Sequence, residues 1–93
     1  MIRGFADDET EKVFERRFSR SFSRDLQRAA YRKLLLLDAA EELGDLRSPP
    51  GNRLKALKGK RKGQYSVRIN EQWRICFRWE GGDAFDVEIT DYH

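Results

Sequence analysis

From Tyr65 to Ile89 apolar and polar residues alternate with a period of two, and few folds accommodate such a run. Tyr65, Val67 and Ile69 interleave with Ser66, Arg68 and Asn70; Trp73, Ile75, Phe77 and Trp79 with Arg74, Cys76 and Arg78; Phe85, Val87 and Ile89 with Asp86, Glu88 and Thr90. Successive side chains point to opposite faces of a strand, so this pattern predicts three strands, each apolar on one face only. Register follows from matching the faces. A two-residue turn at Asn70-Glu71 sets Val67 against Arg74, apolar against polar. A three-residue loop over 70–72 sets Ile69 against Trp73 and Val67 against Ile75. The same logic at Glu80-Gly81-Gly82 predicts Phe77 opposite Phe85 and Ile75 opposite Val87. The expectation is a three-stranded antiparallel meander with 73–79 in the middle. Its polar face carries Arg68, Arg74 and Arg78, with Glu88 opposite Arg74 and Asp86 opposite Cys76. Arg68 also falls opposite Arg74, an unfavourable pair unless an acid or a bound phosphate lies between them.

Upstream, the period lengthens to that of a helix. Asp8 with Glu11 three residues on resembles a capping box. Phe14, Phe18 and Phe22 recur at spacing four beside Val13, which predicts a first helix burying a Phe stripe. The serines of 19–23 break it. Ser21 or Ser23 caps a second helix running to Leu43, with Gly44 as terminator and Leu26, Ala30, Leu34, Leu37 and Ala40 as its buried stripe. Arg24, Arg28 and Arg32 occupy another face at spacing four; solvated surface is the ordinary meaning, an acidic partner segment the functional one. The Ser-Pro-Pro-Gly-Asn cluster of 48–52 then stops the helical half. Residues 2–5 read as a short N-terminal edge strand. Two helices followed by successive strands define an α+β fold, two N-terminal helices packed on a small antiparallel sheet.

Ninety-three residues suffice for one core, so 1–93 is expected to be one domain. Six Phe, three Tyr and two Trp supply much of that core in a chain that is 38% charged. A single cysteine, Cys76, allows no intrachain disulfide and points to a reducing cytoplasm. With His93 as the one histidine, a structural zinc site, which needs about four N or S ligands, is not expected. The start of the chain lacks the apolar segment of a signal peptide. The longest aliphatic run, 34–37, is far short of the roughly 20 residues that span a bilayer.

A net charge of +3 conceals blocks of one sign. Residues 16–33 hold seven bases and one acid, 34–46 four acids and no base, and 47–62 seven bases and no acid. Any one block is ordinarily a solvated face, but two basic blocks around an acidic one favour an anionic partner. The densest run is 53–63, Arg-Leu-Lys-Ala-Leu-Lys-Gly-Lys-Arg-Lys-Gly, directly ahead of the first strand. Its Arg53, Lys60, Arg61 and Lys62, together with Arg68, are candidate contacts for such an anionic partner.

Leu54-Lys55-Ala56-Leu57-Lys58-Gly59, then 63–70, then Gln72-Trp73-Arg74-Ile75 and the closing Asp91-Tyr92-His93 resemble, in order, the HigB-type toxins of the RelE superfamily of bacterial toxin–antitoxin systems. The resemblance covers nearly the whole chain. It implies the RelE-like fold and a ribosome-dependent endoribonuclease that cuts mRNA in the ribosomal A site. The anionic partner of Arg53, Lys60, Arg61, Lys62 and Arg68 would then be RNA. It implies no cofactor and no metal. The partners would be a HigA-like helix-turn-helix antitoxin and the ribosome, with operator DNA reached only through the antitoxin and no membrane. The positions implicated in activity correspond to Lys58, Arg74, Asp91, Tyr92 and His93. Lys55 stands where well-known members carry histidine, in a Leu-His-Pro-Leu-Lys-Gly string. A lysine near its ordinary pKa of about 10.4 stabilises charge but is a poor general base, so this chain is expected to cut more slowly than relatives with histidine there.

The chemistry is consistent with these residue types. RNA cleavage by the neighbouring 2′-OH needs a base for that hydroxyl, an acid for the leaving 5′-oxygen and cations for the phosphorane. Lys55, Lys58, Arg74 and His93 offer the cations, and His93 titrates nearest neutrality. Two other readings use the same cations: a basic module that binds RNA or the ribosome without cutting, and a degenerate toxin serving only as an antitoxin-bound co-repressor.

Overall fold

In the computed structural model, which describes residues 1–91, four strands form one antiparallel sheet: β1 (Lys55–Ala56), β2 (Gln64–Arg68), β3 (Trp73–Glu80) and β4 (Asp83–Asp91), in that order. Two helices, α1 (Asp8–Phe14) and α2 (Arg24–Ala39), pack on its apolar face. Tyr92 and His93 lie outside the described residues.

The β2–β3 register is the expected one. Val67 pairs with Ile75 and Arg68 with Arg74, and the Ile69 N–H donates to the Trp73 carbonyl at 2.9 Å. The sheet gains a fourth strand, β1, through Lys55 opposite Ser66 and Ala56 opposite Tyr65.

The β3–β4 hairpin departs from expectation. Glu80 pairs with Asp83, so the turn is two residues, Gly81-Gly82, both with positive φ (57° and 83°). Such a turn matches the twist of the flanking strands and requires residues that tolerate φ > 0. Left uncorrected, this register would send the apolar set of β4 to the wrong face. A bulge restores it between Cys76 and Arg78, where Asp86 adopts φ 53° as the extra residue. Ala84, Val87 and Ile89 therefore enter the core, whereas Phe85 pairs with Arg78, whose guanidinium lies 4.9 Å from its ring centre. Glu88 faces Cys76 rather than Arg74, Ile75 faces Ile89 rather than Val87, and Thr90 faces Arg74.

Residues 2–5 do not make a full strand. Ile2 and Phe5 form isolated parallel bridges to Ala84 and Val87, enough to cover the outer edge of β4 against pairing with another chain.

Helix α1 starts one residue earlier in its capping than expected: the Asp7 carboxylate, not that of Asp8, accepts the Thr10 N–H at 2.7 Å. It then stops at Phe14, and Arg16 takes a left-handed φ of 62°. Spacing of four preserves a face only while the helix lasts. Phe14 packs against Phe5 and Phe22 edge-on against Trp73, but Phe18 falls beyond the helix and is 61% exposed. The loop is fixed instead by buried Ser19, whose hydroxyl donates to Glu9 at 2.7 Å. Gln27 on α2 brackets it, accepting the Ser19 N–H and donating to the Ser19 and Phe22 carbonyls.

Ser23 caps α2 by accepting the Leu26 N–H, and Leu26, Ala30, Leu34, Leu37 and Ala40 are all buried, as their spacing predicts. The helix ends at Ala39, short of Leu43. A 3₁₀ turn, Leu43–Arg47, follows because the Asp45 carboxylate accepts the N–H groups of Glu41 and Glu42 and caps a new start; Gly44 lies inside it. One long-range bond ties the layers: buried Thr10 of α1 accepts the Ile89 N–H of β4 through its hydroxyl at 3.0 Å. Among the described residues no helix is long and apolar enough to cross a membrane.

Candidate functional site

The face of the sheet turned away from the helices is polar because alternation leaves it no choice. Across it run two rows of paired residues. One is Lys55, Ser66, Cys76 and Glu88; the next is Arg68, Arg74 and Thr90. Arg74 is the centre of this surface. It is 9% exposed, and its Nε donates to Ser66 Oγ at 2.7 Å while Nη2 donates to the Arg53 carbonyl at 2.8 Å. A guanidinium is planar, so two fixed donors fix the orientation of the whole group.

That arrangement depends on the 3₁₀ turn Pro50–Asn52 ahead of β1. Buried Asn52 donates through its side chain to the Leu46 and Ser48 carbonyls and accepts from Lys33 of α2. Anchored there, the chain turns at Arg53 with φ 45°, which aims its carbonyl at Arg74. The backbone of Arg53 therefore holds Arg74, while its own side chain is exposed.

Lys55 is exposed on β1, directly across from the serine that holds Arg74. Lys58 follows, exposed, at the start of a 3₁₀ turn, Gly59–Arg61, that carries Lys60 and Arg61. Lys60 and Lys62 are exposed. Arg61 folds back over the sheet, donating to Gln64 at 2.9 Å and forming a half-buried ion pair with Glu88 at 3.1 Å. Arg68 donates to the Asn70 carbonyl at 2.9 Å at the rim. The 53–63 run thus divides by geometry: Lys55 borders the Arg74 surface, Lys58 is exposed at the turn beyond it, Arg61 is drawn in by an acid, and Lys60 and Lys62 are exposed.

Asp91 ends β4 opposite Trp73, and its carboxylate accepts from Gln72 Nε2 at 3.0 Å. By register it belongs to the face of Ile75 and Ile89, one position beyond Thr90, which shares the face of Arg74. The structure therefore brings Lys55, Arg68 and Arg74 to one face, leaves Lys58 exposed at the turn beyond β1, and sets Asp91 at the margin on the other face. The candidate residues Tyr92 and His93, next in the chain, are outside the described residues.

Sequence reasoning missed Ser66 and Asn52. Ser66 was legible as a small polar residue one register step from Arg74. Asn52 was not, because a turn-forming Pro-Gly-Asn string gives no hint that its last side chain is buried.

Comparison with known proteins gives a consistent set of matches. A family model described as the RelE-like toxin of the type II toxin–antitoxin system HigB matches residues 3–93. Toxin HigB-1 of Vibrio cholerae serotype O1 is 43% identical over 67 residues, covering 72% of this chain and 70% of that protein. Endoribonuclease HigB of Proteus vulgaris is 33% identical over 93 residues, the full length of both. Among solved structures, the YoeB–YefM complex from Staphylococcus aureus contains a chain similar in fold, with a TM-score of 0.63 at 14% identity, covering 100% of this chain and 98% of that one.

Proposed function

The chain belongs to the RelE-like HigB toxins of type II toxin–antitoxin systems, and from that premise we propose that it is an endoribonuclease that cuts mRNA on the ribosome and arrests translation. The observation that carries this reading is the Arg74 guanidinium, sunk into the polar sheet face and aimed by Ser66 and the Arg53 carbonyl. A cation fixed before substrate arrives does not have to reorganise as charge develops on a phosphorane, and such preorganised groups are the largest source of rate in acyl and phosphoryl chemistry.

In the proposed reaction the 2′-oxygen of one nucleotide attacks the adjacent phosphorus and the P–O5′ bond breaks. The products are a 2′,3′-cyclic phosphate and a free 5′-hydroxyl; the 2′ proton leaves to a base, and an acid returns one to the 5′-oxygen. Arg74 and Lys58 neutralise the non-bridging oxygens, and Lys55 adds charge at the β1 edge. His93, two residues beyond the end of β4 in the sequence, is the acid we assign. Arg53, Lys60, Lys62 and Arg68 neutralise phosphates along the strand and on rRNA, with Arg61 contributing from its position over Glu88.

The partners we assign are a HigA-like helix-turn-helix antitoxin, through which operator DNA is reached, and the ribosome. The compartment is the cytoplasm. The test is cleavage of mRNA on programmed ribosomes by Arg74→Ala and His93→Ala, alongside ribosome binding. Each variant is expected to bind but to cleave about 100-fold more slowly or worse. Cleavage at the wild-type rate by both would sink the catalytic assignment. A wild-type chain that binds ribosomes and never cuts would instead mark a binding module.

A further inference from the structure

A second cationic surface lies on the helical side of the molecule. After α1 ends, the left-handed turn at Arg16 brings Arg16 and Arg17 alongside α2, where with Arg24, Arg28 and Arg32 they line an open groove of about 620 Å³. Arg17 is paired with Glu15 and Arg28 with Asp25, but among the described residues Arg16, Arg24 and Arg32 have no carboxylate within ion-pair distance. The groove is also greasy. Tyr31 lines it, exposed Phe18 stands in it, and the Arg24–Arg28–Arg32 face of α2 continues to exposed Leu35, seven residues beyond Arg28.

Phosphate and carboxylate would both satisfy the arginines, so the apolar groups decide between them. Bases would need open aromatic faces for stacking. Here the Arg16 guanidinium already lies over the Tyr31 ring at 4.8 Å and that of Arg24 over Phe18 at 5.9 Å. Leu35 has nothing to offer a nucleotide. A polypeptide that alternates acids with aliphatic side chains meets every group: guanidinium forks donate to carboxylates in bidentate geometry, and Phe18 and Leu35 bury against its apolar side chains.

We infer that this groove docks an acidic amphipathic segment of a partner protein. Carboxylates would engage Arg16, Arg24 and Arg32, and apolar side chains would pack on Phe18 at one end and on Leu35 further along α2. Because the groove is on the helical side, a segment bound there leaves the polar face of the sheet uncovered. The inference rests on the chain having a protein partner, as read above, and not on its cutting RNA.

The test is fluorescence anisotropy with two probes: a labelled helical peptide bearing glutamates and leucines on one face, and a labelled uridine oligonucleotide. Three proteins are compared with wild type: Arg24→Glu/Arg32→Glu, Phe18→Ser, and Lys60→Glu/Lys62→Glu on the sheet side. The first two are expected to weaken the peptide about tenfold or more, as loss of an interface anchor does. The third should leave it within about twofold, since distant sites act independently. The substituted positions are exposed, and thermal melts verify that each variant is folded. Failure of the wild-type chain to bind the peptide would overturn the inference. So would peptide binding indifferent to Phe18→Ser, or a groove that loses the oligonucleotide in the peptide's place. An inactive wild-type chain in the mRNA assay would count against the preceding reading alone.

Discussion

Arg74 sits across from Arg68, and neither repulsion nor burial dislodges it, because Ser66 and the Arg53 carbonyl each accept a hydrogen bond from its guanidinium. Ser66→Ala removes one of these anchors while touching no substrate. A guanidinium free to swing is expected to lower kcat for mRNA cleavage by about tenfold or more, with KM nearly unchanged; equal losses in both would mean that the serine serves binding. Arg74→Lys should fare no better than Arg74→Ala, since an ammonium cannot satisfy both acceptors and keep a fork toward substrate. Lys55 raises the opposite expectation. Restoring a group that titrates near neutrality, Lys55→His should raise the cleavage rate and bring a rate–pH dependence near pH 6–7; an unchanged or lower rate would show that the position does no proton work. At this scale the alternation of residues placed Arg68 opposite Arg74 correctly; Lys55, singled out by resemblance alone, lies across from Ser66 at the edge of that surface. The support of Arg74 was hidden because a backbone carbonyl has no letter in a sequence, and its aim depends on the left-handed turn at Arg53.

Helix α1 is short, and its hold on α2 runs largely through the Glu9–Ser19–Gln27 cluster. Hydrogen bonding from Ser19, then from Lys12, keeps the Glu9 carboxyl below the ordinary glutamate range. At the opposite end Asp83 is lowered in the same direction by Arg3 and the N-terminal amine. A carboxyl with a depressed folded-state pKa contributes stability that is complete above its unfolded value and is lost as pH falls through the lower, folded one. Tm should therefore decline below about pH 4, where both groups take up protons. Ser19→Ala should lower Tm at neutral pH and flatten that decline; parallel curves for the two proteins would exclude the serine as its source. Elements are also where sequence patterns misled. The Phe14–Phe18–Phe22 spacing suggested a longer helix, but Arg16 adopts a conformation that ends one. The β3–β4 register failed by one residue on the turn side of Phe77 and by two beyond it, since the two-glycine turn shortened the loop and the bulge at Asp86 added a further step. Two shifts of the same sense, one residue each, together kept Val87 and Ile89 on the expected face.

At the scale of the molecule, the two layers are joined by few polar bonds and one apolar core. Thr10 is fully buried, and its hydroxyl takes the Ile89 N–H. Thr10→Val keeps the shape and strands that donor, which should cost about 1–3 kcal/mol in chemical denaturation; a neutral result would mean that the N–H finds another acceptor. The α+β order, the buried stripe of α2 and the polar sheet face were all legible from period and composition. The parallel contacts of Ile2 and Phe5 with β4 were not, because pairing between residues some eighty apart leaves no local trace. Those contacts bear on synthesis. Helix α1 and the segment before it find part of their docking surface on β4, made some eighty residues later, so these early parts wait for much later ones. Neighbouring stretches can fold as they emerge, but these cannot. The order of translation itself thus delays closure of the fold around β4, the strand that ends at Asp91, until that strand has left the ribosome that made it.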